Sequence, residues 1–190
     1  MPTLSTFLES SVIVALIYGA VELWKHRQKT KKAVSKAILK SEYLLQLLEL
    51  FRVETKVDRV LYMISENGGG IPKPHKQLYV SIIHESVSMR LPSIKIDWQK
   101  QPIDNFYMKQ LAEMVQTGSN TMKVSELQDG ILKNVYEAQG VATAFIGTIK
   151  DNDGSFLSYI ACQSTDSNFN FQSPSFKEAF RAFKLKASKL

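Results

Sequence analysis

The stretch VDRVLYMISENGGGIPKPHKQLYVSIIHESV, residues 57–87, decides the fold. Val60 to Ile64 is a short continuous apolar run, whose length suits a strand buried on both faces better than a helix. Asn67-Gly68 then marks a turn, because both residues tolerate positive φ, and two more glycines with Pro72 and Pro74 widen the loop. Beyond it Leu78, Val80 and Ile82 alternate with Tyr79 and Ser81, the two-residue period of a strand. An antiparallel meander therefore begins here.

Working outward, Met89 to Ile96 is expected to be a short strand that Pro92 confines to an edge or a bulge. Asp104 is placed to cap a helix over 105–116 that Gly118 closes. Thr121 to Val124 predicts a short strand. Ser125 with Gln128 forms the pattern of a capping box, which predicts a second helix through Ala138 with Gly140 as its stop. The strand pair 141–150 and 156–164 is joined by Asp151-Asn152-Asp153-Gly154, a hairpin signal. Ser173-Pro174 opens a last helix, with Phe176, Phe180 and Phe183 along one face. Strands paired as hairpins with helices grouped apart predict an α+β domain built on an antiparallel sheet with flanking helices.

On the N-terminal side, Leu4 to Trp24 is predominantly apolar, and 21 helical residues span about 31 Å, close to the hydrocarbon thickness of a bilayer. Glu9 and Glu22 fall near its ends, and Trp24 would sit at the interface. A helix buried in an oligomer and a cleaved secretory signal are the alternatives. No basic segment precedes the apolar run and no small-residue cleavage site follows, which disfavours cleavage. Residues 1–24 are expected to be a transmembrane anchor, 25–37 a basic juxtamembrane stalk and 38–190 the folded domain.

The chain carries 24 basic and 18 acidic side chains, a net charge of +6. Lys25, Arg27, Lys29, Lys31, Lys32, Lys36 and Lys40 account for the excess, with no acidic residue among positions 25–40, so the remainder is nearly neutral. A basic block flanking one end of an apolar segment predicts a single pass through the inner membrane, N-terminus out and domain in the cytoplasm. The block attracts anionic lipid equally well. It lacks the interleaved aromatics with which single-strand binders stack bases, and no nucleic-acid partner is expected.

From Lys31 to Arg52, Val34, Ala37, Ser41, Leu44, Leu48 and Phe51 recur at steps of three and four. That is a heptad seam, and Val34, Ser41, Leu44, Leu48 and Phe51 are expected to form a homodimer interface in a coiled coil. Ile38, Leu45, Leu47 and Leu50 broaden the apolar face, so the helix serves as stalk, as first helix of the domain, or as both.

Candidate chemistry is sparse. His84-Glu85 are adjacent on a strand and point to opposite faces, so they cannot converge on a metal or a proton. Gly68 to Gly70 lack the pattern of a phosphate-binding loop. Cys162, the single cysteine, lies in an apolar strand run and is expected to be buried and inert. No reaction, metal or cofactor is expected. Trp98, Phe106, Tyr107, Met114, Met122 and Tyr136 have the apolar, aromatic character of a pocket wall and are the candidate ligand-binding residues.

Two groups of residues resemble the GAF fold, the sensory relative of PAS domains, over about residues 38–188. Asp58-Arg59-Val60 enters the first strand and Asn67-Gly68-Gly69 ends it. The apolar strand, Asp153-Gly154, second strand, Phe169 to Phe176 and aromatic helix resemble the closing hairpin and helix of that fold. The resemblance implies dimerisation through terminal helices. It also implies a small ligand, such as a cyclic nucleotide or a tetrapyrrole, held between the sheet and the middle helices, here about Asp97 to Ala138. The chain lacks an Asn-Lys-x-Phe-Asp-Glu-like cyclic-nucleotide signature, and Cys162 is not in the helical region where bilins attach. With the apolar segment and the basic block, the resemblance implies a membrane-anchored signalling module that binds a small ligand or a partner protein without catalysis. A structural or lysis-related membrane protein of a phage or mobile element is the alternative. With no kinase, cyclase or DNA-binding segment in the sequence, any signal is expected to leave through the stalk or a partner.

Overall fold

The computed structural model describes residues 4–66, 77–151 and 157–189, with side chains from Glu22 onward apart from those of Lys32, Lys150, Asp151 and Leu157. The expected turns at Asn67-Gly68 and Asp153-Gly154 lie outside the described residues. Two compact units divide the chain, Met1–Glu42 and Tyr43–Leu190.

The first unit belongs to α1, Leu4–Thr55. Among the described residues no helix is long and apolar enough to cross a membrane. The side chains of residues 1–21, which make up most of the expected anchor, lie outside that set. Leu23, Trp24, Val34, Ile38 and Leu39 are exposed.

The second unit is a six-stranded antiparallel sheet in the order β3-β2-β1-β6-β5-β4. The strands are β1 (Arg59–Glu66), β2 (Tyr79–Val87), β3 (Gln101–Pro102), β4 (Ser119–Lys123), β5 (Thr143–Asp151) and β6 (Leu157–Ser164). Helices α2 (Asn105–Thr117), α3 (Ile131–Ala138) and α4 (Pro174–Ala187) accompany it. The two-residue period of β1, β5 and β6 sorts their side chains into two cores. Leu61, Met63, Ala144, Ile146, Tyr159 and Ala161 face a core shared with α2 and α3. Val60, Phe145, Ile149, Ile160 and Cys162 face a second core closed by the end of α1 and by α4. The apolar run in β1 is therefore buried on both faces, as its composition predicts.

Two expected elements differ. No strand forms over 89–96; these residues lie in irregular backbone, and the edge is supplied by β3. Pro92 cannot donate to a ladder, and its carbonyl is used elsewhere. The helix expected from Ser125 begins only at Ile131, because Val124 is drawn into the core and residues 124–126 close as a 3-10 turn. The cap comes from a distance. Asp104 Oδ1 accepts from Tyr107 N at 2.8 Å, starting α2, and its Oδ2 accepts from Ile131 N at 2.7 Å, starting α3. A Cβ at Gly130 would sit 2.7 Å from that same oxygen, so only glycine leaves room for the shared cap. A local capping box gave way to one carboxylate serving two helices.

The C-terminal part of the heptad seam is used by the chain's own core. Leu44, Leu48 and Phe51 are buried in the second core of their own chain, with Leu48 fully enclosed, and Phe51 meets the rings of Phe176 and Phe183 at 5.8 and 5.1 Å. Ser41 is partly buried and Val34 exposed. The broad apolar face of this helix splits in two: Leu44, Leu47, Leu48 and Phe51 turn inward, while Tyr43, Leu50 and Val53 remain on the outside. Leu44→Lys should therefore cost at least several kcal/mol of stability, since it buries an unpaired charge, whereas Leu50→Lys should leave the stability of the single domain within about 0.5 kcal/mol. Urea denaturation of both variants checks this, and equal losses would refute the inward assignment.

Candidate functional site

Between the sheet and the α2/α3 layer lies a cleft walled by Leu61, Met63, Ile94, Trp98, Tyr107, Leu132, Val135, Tyr136 and Gln163. β1 and β6 supply its floor, and the segment 88–100 and the two helices its roof. Three of the six expected pocket residues meet here. Trp98 and Tyr107 are in edge contact at 6.4 Å, and Tyr136 closes the far side. Met114 and Met122 are core residues of the same layer but do not line the cleft. Phe106 points away, into a separate open groove of about 110 Å³ between α2 and α3.

The cleft is almost filled. Its free volume is about 10 Å³, the least that accommodates one water molecule. Any larger ligand needs the roof to move.

One end of the cleft is polar, built around a residue that the aromatic pattern does not reveal. Arg59 opens β1 on the cleft side and is fully buried. Its Nη1 donates to Gln163 Oε1 at 2.7 Å, directly across the β1–β6 pair, and to Gln139 Oε1 at 2.6 Å; its Nη2 donates to the Pro92 carbonyl at 2.6 Å. Its Nε lies 3.2 Å from Glu85 Oε1, angled as an ion contact and not as a hydrogen bond. Burial pulls the guanidinium below its ordinary pKa, and Glu85 opposes that pull. The Glu85 carboxylate also accepts from the backbone N–H groups of Ile94 (3.1 Å) and Lys95 (3.2 Å) and from the Ser93 hydroxyl. Arg59 and Glu85 thus hold both ends of the run 92–95, and Ile94 and Trp98 follow into the cleft. A second fastening lies farther along: Ile82 N donates to Trp98 O at 2.9 Å, and Gln99 Nε2 donates to Ile82 O at 2.8 Å.

The tyrosine hydroxyls of this layer stay protonated. Tyr107 and Tyr159 share a hydrogen bond of 3.0 Å, and burial raises the pKa of both and of Tyr136 above the usual phenol range. Cys162 lies under the sheet's other face, fully buried, where loss of solvation pushes its thiol pKa up and keeps it protonated. Among the described residues no group of three His, Cys, Asp or Glu side chains could hold a metal ion. His84 and Glu85 diverge, as adjacent strand residues must; burial lowers the imidazole pKa.

Arg59, Glu85 and Gln163 escape a reading based on aromatic enrichment. The available signal was a charged residue at the head of an apolar run, which in a strand buried on both faces demands a partner.

No family model matches the chain, and no curated protein matches it in sequence. Solved structures match its fold. The phycocyanobilin-bound GAF domain of a cyanobacterial phytochrome aligns with a TM-score of 0.58 at 13% identity, covering 85% of this chain and 89% of that one. A far-red cyanobacteriochrome photoreceptor gives 0.58 at 12% identity, covering 88% and 96%. The GAF domain of a two-component sensor histidine kinase from Bacillus halodurans gives 0.54 at 8% identity, covering 76% and 87%. The fold is that of GAF domains.

Arg59→Met should cost about 3–5 kcal/mol, because it leaves Glu85 buried without its counter-charge. Native-state hydrogen exchange should show faster exchange at the Ile94 and Lys95 amides before the sheet itself is affected. Uniform loss of protection would mean that the pair does not fasten this segment in particular.

Proposed function

We propose that this chain is a non-catalytic GAF-type binding module, held at the inner membrane by its N-terminal segment with the domain in the cytoplasm, whose cleft between the sheet and α2/α3 receives a small ligand. The carrying observation is the cleft itself: an aromatic wall of Trp98, Tyr107 and Tyr136, a polar end at Gln163, and a roof segment fastened by side chains at residues 92–95 and by isolated bonds at 98–99. Pockets of this composition orient a mostly apolar ligand by a few polar groups. Phytochrome GAF domains with phycocyanobilin bound supply the analogy for ligand binding. The ligand here is smaller and flatter than a bilin, or enters by displacing residues 88–100, since about 10 Å³ is free. Attachment to Cys162 is disfavoured by its burial on the opposite face.

A route from the cleft to α1 runs through β2. Glu85 faces the roof, and its neighbour Ser86 faces the other way, as strand geometry requires. Arg52 Nε donates to Ser86 Oγ at 2.9 Å, and Ser86 Oγ donates to Glu49. Movement of the roof that shifts β2 is thereby felt at the end of α1.

That helix offers a surface for reading the shift out. Tyr43, Gln46, Leu50 and Val53 are exposed at steps of three, four and three, and Leu39 extends the same spacing in sequence. A second copy of the chain meeting this stripe would make a paired stalk, in place of the buried seam through Leu44.

Trp98 reports on the cleft. With Trp24, the other tryptophan, replaced by phenylalanine, a small molecule that copurifies or is found by screening should change Trp98 fluorescence and raise the melting temperature. Binding that leaves Trp98 unchanged would place the ligand elsewhere and defeat the cleft assignment. For the stalk, Leu50→Lys in the full chain should convert dimer to monomer by sedimentation while the domain stays folded. A wild-type monomer would end the paired-stalk proposal, and a C-terminal reporter active outside the cytoplasm would end the topology.

A further inference from the structure

On the opposite side of the sheet from the cleft, α4 and the α2–β4 corner enclose an open groove of about 380 Å³. This volume falls within the range of about 300–1,000 Å³ typical of small-molecule sites. Its apolar wall is the half-buried Phe180 beside Phe171. The tip of the Phe180 ring lies so close to Gly147 of β5 that a Cβ there would come within 2.4 Å of it, so the ring end sits over bare backbone while the residue also lines the groove. Its polar wall is Lys177, Arg181 and Lys184, spaced four and three along α4 and therefore on one face.

These cations have no counter-charge within ion-pair distance among the described residues. Among the described residues no carboxylate lines the groove, and none of the three makes an ion pair. Lys184, half-buried, rests on a neutral hydroxyl, Thr148 Oγ1, at 3.3 Å. The helix dipole explains Lys184 near the C-terminus but opposes Lys177 in the opening turns, where anions are favoured. Of the three, Lys177 is the one whose position the dipole does not explain. From Lys177 to Lys184 the helix advances about 10 Å, which sets an extended line of positive charge beside an aromatic surface.

We infer that this groove is a binding site for a phosphate-bearing ligand with an apolar or planar portion, its phosphates on Lys177, Arg181 and Lys184 and its apolar part against Phe180. Arginine suits this task because its planar fork can meet two phosphate oxygens at once. The site is independent of the cleft and does not rest on the function proposed for it. Its ligand could be a soluble nucleotide or a phospholipid headgroup, since both present the same chemistry.

The test uses the full chain in a neutral detergent, titrated calorimetrically with ATP, with inorganic pyrophosphate and with short-chain phosphatidic acid. At least one probe should bind saturably. Arg181→Glu should weaken it by about tenfold or more, through loss of the fork and reversal of the charge. Lys109→Glu, which makes the same change of charge on α2, should not. Binding of ATP or pyrophosphate identifies a soluble source, and binding of phosphatidic acid alone identifies a membrane phosphate. Should Arg181→Glu fail to fold, Lys177→Gln, at an exposed position, should still weaken binding and flatten its dependence on salt. Absence of saturable binding by all three probes would overturn the site. Equal weakening by Lys109→Glu would overturn it too, because net charge would then explain the effect.

Discussion

A guanidinium with no access to water must be paired, and the pairing of Arg59 organises much of this domain. Its partners come from β2, β6, the residue after α3 and the carbonyl of Pro92. These groups are distant in sequence, so satisfying one charge brings four parts of the chain together. Removing a charge of this kind from water costs several kcal/mol, which the ion contact with Glu85 and three hydrogen bonds offset while Nε makes no hydrogen bond. The energetic return is therefore less raw stability than a definite position for a segment that has no ladder of its own. Residues 92–95 are held by side chains on the sheet, and the aromatic roof of the cleft follows from that.

The sheet separates two environments with opposite character. On the α2/α3 side the packing is tight, with tyrosine hydroxyls paired or held neutral and almost no free volume. On the α1/α4 side a cluster of phenylalanines fills the centre, but its margin stays open and positively charged. A closed apolar cleft requires motion before it can bind, whereas an open basic groove does not. Adjacent residues of β2, Glu85 and Ser86, connect the two sides because a strand cannot turn one side chain without turning its neighbour the other way.

Much of the architecture was legible in the sequence because it follows from local chemistry. The double-sided burial of Val60 to Ile64, the hairpin pairing of β5 and β6, the Asp104 cap and the phenylalanine face of α4 all arise from residue spacing over a few positions. Where the local pattern was wrong, a contact from elsewhere had overridden it. Ser125 and Gln128 form a plausible capping box, yet Asp104, more than twenty residues away, captured the amide of Ile131 and moved the start of α3. Likewise, three of the six aromatic and methionine candidates converge on the cleft, but composition cannot tell a wall from a filled core.

By itself the sequence determined the alternation of strand and helix, the concentration of positive charge in residues 25–40 after an apolar segment, and the apolar breadth of the helix that follows. Periodicity and charge are properties of neighbours along the chain, so they can be read without a fold. Only the tertiary structure decided which half of that broad helical face is spent on the core, which charged residue is buried at the polar end of the cleft, and that Lys177, Arg181 and Lys184 border a cavity. Each of these depends on which distant surfaces the folded sheet brings within a few ångströms, and no pattern of neighbours along the chain contains that distance.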